Sequence, residues 1–524
     1  PASADRPGGS DAPDDAGLAE RRQIWKELAS KSGRFLVIGG KWKGAIGKQL
    51  KALAAVGQWD EAIALARQHP KQREDRLGWI DVLDRLLAQP GSLQDVEAEA
   101  RWLREKRQHV VFVGQGGSIL SVPVAQQLWP NPEAPQIHWL DSTDPEAKVG
   151  LLLALTGAPD VAALKQMTVD ELREKLKQAQ FIVTSKSGET REVRENLAWI
   201  KSLLHPTGLH ANDHVWVLTD PHTALWREAQ ARGYYPSSSP AANREPLLIQ
   251  LDKGSDIGGR FSAPGTRVLL LPLALLRPGQ LQTLLRRAQE RLADDAERPD
   301  GFLALGQFLA ERARHGRDKV TCLLPPVLQP MGAWDEQLVE ESTGKSGKGV
   351  MVFPDEGLTV EDLPYLSRDR VFLHVTLRGA PDAHAALVEA LRRRGDPVWT
   401  ITLESVDDVL SLQAGLQRAL APIGVDQGIN LVDQDAVDDY KRIVEAILSD
   451  TGEADPLRER LQQVSPSHRI TDPATGVTLV FDGLMALLAD ADRIALEHAK
   501  AEGASTAELY AEILRLMQRR QTEA

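Results

Sequence analysis

"FIVTSKSGETREVRENLAWI", residues 181–200, changes character twice within one short stretch. The opening "FIVT" is an apolar, β-rich run of the kind that forms a strand buried on both faces. It ends in Ser185-Lys186-Ser187-Gly188-Glu189-Thr190, and a helix starts at once. Three hydroxyls, a turn that glycine permits, and the unpaired amides at a helix N-terminus together make a compact seat for a phosphomonoester. Ser185, Ser187 and Thr190 would bind it, and Lys186 would add local positive potential. The ordinary alternative is a polar turn ending in a capping box, with Thr190 as N-cap. The stretch alone leaves both readings open.

The same texture extends on either side. "HVVFVG" (109–114), "QIHWLD" (136–141) and "HVWVLT" (214–219) are further β-rich runs separated by helical segments. Strands alternating with helices imply a parallel sheet with right-handed crossovers. After a Pro- and Gly-rich stretch near 255–279 and a helical connector the pattern returns: "KVTCLLPP" (319–326), "GVMVF" (349–353), "RVFLHVTL" (370–377) and "PVWTITL" (397–403). The expected fold class is α/β, with two doubly wound parallel-sheet sandwiches over 105–290 and 291–450. A disordered Pro/Gly/Ser/Asp-rich tail (1–18) and a helical segment (19–104), as in "GWIDVLDRLLAQ", precede them. A helical extension (451–524) follows, with a hairpin near 468–481.

Composition limits the function. The chain has 524 residues, 42% hydrophobic and 26% charged, with a formal charge of −12. That charge argues against nucleic acid or an anionic membrane as the main partner, yet a few local cations and amides suffice for one phosphate. No apolar run approaches the roughly 18 residues of a membrane span, and no signal-peptide core opens the chain. Cys322, the single cysteine, lies in an apolar run and reads as a buried small hydrophobe. One thiol makes neither a disulfide nor a cysteine metal cluster, so a cytoplasmic setting is expected. The first residue is not Met, which implies processing or excision from a longer chain.

Two glycine motifs are decoys. In "WDEQLVEESTGKSGKG" (334–349) the GKS at 344–346 ends like a Walker A loop, but the required glycine at 339 is Val339. In "GQGGS" (114–118) the third glycine of a dinucleotide fingerprint would fall at 119, which is Ile119. What survives there is a turn through Gly117 to Ser118 at a strand's C-terminal end, where open α/β sheets bind ligands. What survives in the first is a helix. Gln337 and Glu341, four apart, share one face, and Trp334 and Leu338 anchor the neighbouring one. Glu340 points about 100° away, towards solvent. A carboxylate at a helix C-terminus is disfavoured by the dipole, so an idle exposed Glu341 is awkward.

"GQGGS", "SKSGET", "SDIGGRFS" (255–262), "QLVEESTGK" (337–345) and "QGINLVDQDAVDDYK" (427–441) occur in this order over about 110–445. The set resembles the sugar isomerase (SIS) domain and, more specifically, the glucose-6-phosphate isomerase family. The spelling "ESTGKSGKG" looks closest to the branch fused to transaldolase. The resemblance implies two SIS-type sandwiches, a homodimer, no metal or other cofactor, and a hexose phosphate substrate. Glucose 6-phosphate and fructose 6-phosphate would interconvert through a cis-enediol. Glu341 would shuttle the proton between C1 and C2, Arg260 would stabilise the enediolate, and Lys441 would assist at the ring oxygen and C1 hydroxyl. Ser118, Gln337, Gln434, Gly117 and Gly259 would line the substrate. The chemistry asks for these types: a base α to a carbonyl, a permanent cation at the developing oxyanion, and a held phosphate that keeps the carbons in register.

Two departures stand out. The helix "SLQAGLQRALAPIG" (411–424) lacks the family's ring-opening histidine; His374 and His384 read as structural, and His468, near the expected hairpin, could reach a site. Leu431-Val432 replaces the family's Pro-Phe. Other readings remain: an isomerase of another hexose phosphate such as mannose 6-phosphate, or a non-catalytic phosphosugar sensor. Arg260 also has an ordinary reading, a surface salt bridge, and Lys441 another. The stripe Val437, Tyr440, Val444 and Ile447 predicts a buried helix face with Lys441 at its edge, its stem along the core.

Overall fold

The computed structural model describes residues 33–69, 71, 73–236, 245–251, 257–354, 356–434, 437, 440–444 and two short strands at 469–471 and 478–480. The expected tail at 1–18, His468 and Ile447 lie outside them.

Strands β1 (Gly40–Trp42) and β2 (Arg73–Asp75) form a small antiparallel pair. β3 (His109–Val113), β4 (Gln136–Leu140), β5 (Ala179–Ser185), β6 (Val215–Thr219) and β7 (Leu247–Leu248) make a parallel sheet in the order β4-β3-β5-β6-β7. β8 (Lys319–Leu323), β9 (Met351–Phe353), β10 (Arg370–Leu377) and β11 (Val398–Leu403) make a second, ordered β11-β10-β8-β9. Helices cover both faces, which is why every residue of β5 and β6 is buried and why each carries an apolar run, Phe181–Val183 and Val215–Leu218. The fold is thus the α/β class with two parallel, doubly wound sheets.

Strand order places the crevices. β3 lies between β4 and β5, so the chain reverses direction across the sheet at the end of β3. β8 likewise lies between β9 and β10, and the helix Met331–Thr343 is its crossover to β9. Ligands in open α/β sheets settle at such reversals. The turn at 114–118 and the carboxylate-bearing helix both start from one.

The Pro- and Gly-rich stretch near 255–279 is not merely a connector. It contains the helix Arg267–Leu276, all ten of whose residues are buried. After Arg267, "VLLLPLALL" is apolar all round, the mark of a helix with no solvent face. It packs on the helices Gly91–Lys106 and Ser121–Leu128. The segment expected as helical over 19–104 also carries β1 and β2, because three-residue strands are too short to show a period. Its far end reaches inward: Leu77 bridges Ile257, and Trp79 stacks on Phe261 with ring centroids 4.9 Å apart. One apolar core runs from Phe35 through both sheets to Val432. Asn430 Nδ2 donates to the carbonyls of Val37 and Gly40, and Leu431 N donates to Ile38 O at 2.8 Å.

Both sheets belong to one compact unit, which ends at Asp433. A second comprises 364–366 and the chain from Gln434. In that second unit β12 (Arg469–Thr471) pairs antiparallel with β13 (Thr478–Val480) where the hairpin is expected. The expected buried stripe is not seen there: Tyr440 is 58% exposed, and Val437 and Val444 are half-buried. Periodic spacing shows that a face is able to be covered, not that something covers it. Among the described residues no helix is long and apolar enough to cross a membrane.

Candidate functional site

The Met331–Thr343 helix is pinned by Trp334 and Leu338, 1% and 0% exposed, so the neighbouring face is fixed in rotation. That face carries Gln337 and Glu341. Gln337 Nε2 donates to Glu341 Oε2 at 3.2 Å, and Arg260 Nη1 donates to Glu341 Oε1 at 3.0 Å. The Glu341 side chain keeps 17% of its surface exposed, whereas that of Arg260 keeps 1%. Arg260 spends its other donors on protein: Nε on Ser342 Oγ at 2.7 Å, and Nη2 on the carbonyls of Leu431 and Asp433. Burial lowers the guanidinium's pKa, opposed by the Glu341 charge beside it and joined by the like charge of Arg76. An arginine stays protonated even so. It is therefore no surface salt bridge but a fixed, buried cation held against one carboxylate oxygen.

The GKS sequence forms no phosphate loop. Lys345 and Lys348 pair across a tight turn (3.2 and 3.0 Å), with Ser346, Gly347 and Gly349 at positive φ. Lys345 Nζ then donates back to the carbonyls of Glu341 and Ser342, at 2.7 Å each. A cation on the last carbonyls of a helix offsets the dipole that disfavours a carboxylate there. Glu340 corrects the sequence reading. It is half-buried, and its Oε1 accepts from Val352 N at 2.8 Å, because β9 packs back against the helix.

The turn after β3 closes on this group. Gly116–Ser118 is a single 3-10 turn, and Ser118 is half-buried. A Cβ on Gly116 would fall 2.6 Å from Gln337 Nε2, and one on Gly117 would fall 2.3 Å from Gly259 O. Glycine at 117 is thus what lets the turn touch the Gly259–Phe261 loop that carries Arg260. Gln417, on the helix Val409–Gln427, holds that loop from behind by donating to the carbonyls of Phe261 and Ala263. Gln417 lies on the helix whose missing histidine the sequence flagged, and polar residues on an otherwise buried helix were the signal available for it.

The turn after β5 does not form the capping box that was the ordinary alternative. Ser185 Oγ donates to Thr190 Oγ1 at 3.0 Å and accepts from Gly188 N at 3.1 Å, while Ser187 Oγ accepts from Glu189 N at 3.3 Å. Thr190 makes no side-chain cap on the helix Arg191–Leu204. Register puts Val183 level with Val113, so this turn and the 114–118 turn leave adjacent strand ends. Lys186 is paired with Asp220 at 2.8 Å, a partner on the next strand end that no local motif marks.

Gln434 and Lys441 fall in the second unit, where Lys441 is exposed on a helical segment. His374 is buried, its Nε2 3.1 Å from Asp382 Oδ1, and His384 Nε2 lies 2.9 Å from Leu324 O. Among the described residues no group of three or more His, Cys, Asp or Glu is arranged to hold a metal ion.

No family model matches the chain. Its sequence is similar to curated proteins named glucose-6-phosphate isomerase. That of Synechococcus sp. (strain JA-3-3Ab) is 26% identical over 381 residues, 65% of each chain. That of Thermosynechococcus vestitus is 28% identical over 329 residues, 59% of this chain and 54% of the relative. The chain spans between about half and just under two thirds of the length of such relatives. Among solved structures, a glucose-6-phosphate isomerase from Chlamydia trachomatis superposes with a TM-score of 0.56 at 17% identity, covering 86% of this chain and 89% of that one. A hypothetical protein from Thermus thermophilus gives 0.57 at 21% identity, covering 83% and 95%. The shared architecture is that of paired SIS-type sandwiches.

Proposed function

We propose that this chain is a phosphosugar isomerase of the glucose-6-phosphate isomerase type, interconverting glucose 6-phosphate and fructose 6-phosphate. One observation carries the reading: a partly exposed carboxylate, held at one oxygen by a buried arginine and at the other by an amide, sits by a glycine-rich strand end whose neighbour in the sheet ends in a hydroxyl-rich turn. The similarity to curated isomerases supports the same class.

In this reading the phosphate rests on Ser185, Ser187, Thr190 and the first amides of the Arg191–Leu204 helix. That fixes the sugar's far end, so the reacting carbons stand over Glu341. Glu341 takes the proton from C2 of the open-chain aldose and returns it to C1. Negative charge grows on the carbonyl oxygen as the proton leaves, and Arg260 meets it with a cation already oriented and already desolvated. Ser118, Gln337 and the backbone at Gly117 and Gly259 line the sugar. The resemblance gives Lys441 a role at the ring oxygen and C1 hydroxyl and Gln434 one in lining the substrate, and two copies of the chain form the working dimer.

Purified protein supplied with fructose 6-phosphate, with glucose 6-phosphate drawn off by a coupled dehydrogenase, tests this. Turnover is expected, unchanged by EDTA, and lost in Glu341→Gln while phosphosugar binding persists. Tight binding without turnover in the wild type would make the protein a sensor. Full activity in Glu341→Gln would remove the base.

A further inference from the structure

Asp220 brings negative charge to a place built for an anion. Its Oδ2 lies 2.8 Å from Lys186 Nζ, with the two side chains 21% and 16% exposed, so both reach water at the rim of the turn. Asp220 follows β6 directly, and Thr219 stands level with Ser185 in the β5–β6 ladder. The two turns are fastened by other groups. Asp220 N donates to Lys186 O at 3.3 Å, and Thr219 Oγ1 donates to Ser185 O at 2.7 Å and lies 3.0 Å from Thr223 Oγ1. A Cβ on Gly188 would fall 2.6 Å from Thr223, which sets how closely the second turn presses on the first. Backbone and threonines therefore hold the shape, and the carboxylate charge is separable from that task.

A carboxylate one ion-pair length from the lysine repels a phosphate dianion and competes with it for the same cation. If the seat were selected only for tight grip, the acid would work against it. Resting on the isomerase reading above, the geometry points to Asp220 as an affinity-limiting residue: it engages Lys186 until substrate arrives and so holds down the affinity for the phosphate group. Attraction that is equal in ground state and transition state lowers KM without raising kcat. Substrate and product here carry the same phosphate, so an unopposed lysine would hold the product as firmly as the substrate. Asp220 favours release.

Asp220→Asn keeps the shape and an acceptor for Lys186 while removing the charge. Isothermal titration with inorganic phosphate at low ionic strength, and KM for fructose 6-phosphate, read the effect. Phosphate is expected to bind about five- to tenfold more tightly in Asp220→Asn, with KM falling in step. The gain should shrink in a Lys186→Met background and in high salt. Asp220→Ser must give the same sign, which guards against a local misfold in one variant. Unchanged or weaker phosphate binding in both folded variants, with the wild type binding normally, overturns the role of Asp220 and leaves the isomerase reading standing. A wild type that binds neither phosphate nor fructose 6-phosphate overturns both.

Discussion

Seven residues apart, Arg260 and Arg267 both enter the protein interior and both meet a glutamate, with opposite results. Arg267 grips Glu99 with two parallel bonds, Nε to Oε2 at 3.0 Å and Nη2 to Oε1 at 2.9 Å, and gives Nη1 to Leu248 O at 2.7 Å. Both carboxylate oxygens are consumed and the pair is closed. Arg260 lends Glu341 a single nitrogen and spends the rest on Ser342, Leu431 and Asp433. The planar fork suits bidentate pairing; Glu341 instead takes one guanidinium nitrogen at Oε1 and the neutral Gln337 amide at Oε2, and its side chain stays 17% exposed. One pair ties the helix Gly91–Lys106 to the start of the buried Arg267–Leu276 helix; the other, in the proposed reaction, would keep a base available.

The sharpest way to break this contrast is to neutralise each glutamate. Glu341→Gln should cut turnover by roughly 10²–10⁴-fold with little change in melting temperature. Glu99→Gln should do the reverse, costing about 3–5 kcal/mol in chemical denaturation because Arg267 is left buried and unpaired. Turnover per folded molecule should persist. If both variants lost stability equally, the distinction between closed and open pairs would fail. Arg260→Lys comes next. It keeps the charge but loses the fork that holds Ser342, Leu431 and Asp433, and kcat should fall by about 10²-fold or more in the coupled assay.

The smallest effect concerns a buried acid on the same helix as Glu341. Asp335 is buried in an apolar cavity lined by Cys322, Val339, Leu416 and Leu420, and its Oδ1 has no hydrogen-bond partner among the described residues. Burial pushes its pKa well above the usual carboxylate range. The folded state keeps the proton that the unfolded chain gives up above about pH 4, so stability falls as pH rises from there towards the folded pKa. Asp335→Asn should therefore raise the melting temperature by more at pH 8 than at pH 5. Equal shifts at the two pH values would show that Asp335 is ionised in the fold.

Much of the architecture was legible because strands buried on both faces are short, apolar and bounded by turns, as in "FIVT" and "KVTC". Glu341, Gln337, Trp334 and Leu338 were legible together because one helical period sorts them onto two faces. Contacts between distant turns were not. Nothing local in "SKSGET" announces Asp220, nothing in "GQGGS" announces the carbonyl of Gly259 against Gly117, and Glu340 looked solvent-facing until β9 lay beside it. The stripe through Tyr440 failed for a related reason, since periodicity offers a face and only tertiary packing covers it. Lys345 was hidden by its own spelling: a motif borrowed from nucleotide loops serves here as the seal on a helix end.

Asn430 and Leu431 clasp backbone at Val37, Ile38 and Gly40, a span of 393 residues for the Asn430–Val37 bond. During synthesis at about 5–20 residues per second, the earliest part of this clasp waits on the order of twenty to eighty seconds for its counterpart. Arg260 depends on the same late segment, through the carbonyls of Leu431 and Asp433. A nascent chain halted before residue 430 would thus carry Glu341 and Arg260, yet lack the carbonyls of Leu431 and Asp433 that hold the arginine. Activity should appear only once nearly the whole unit has left the ribosome.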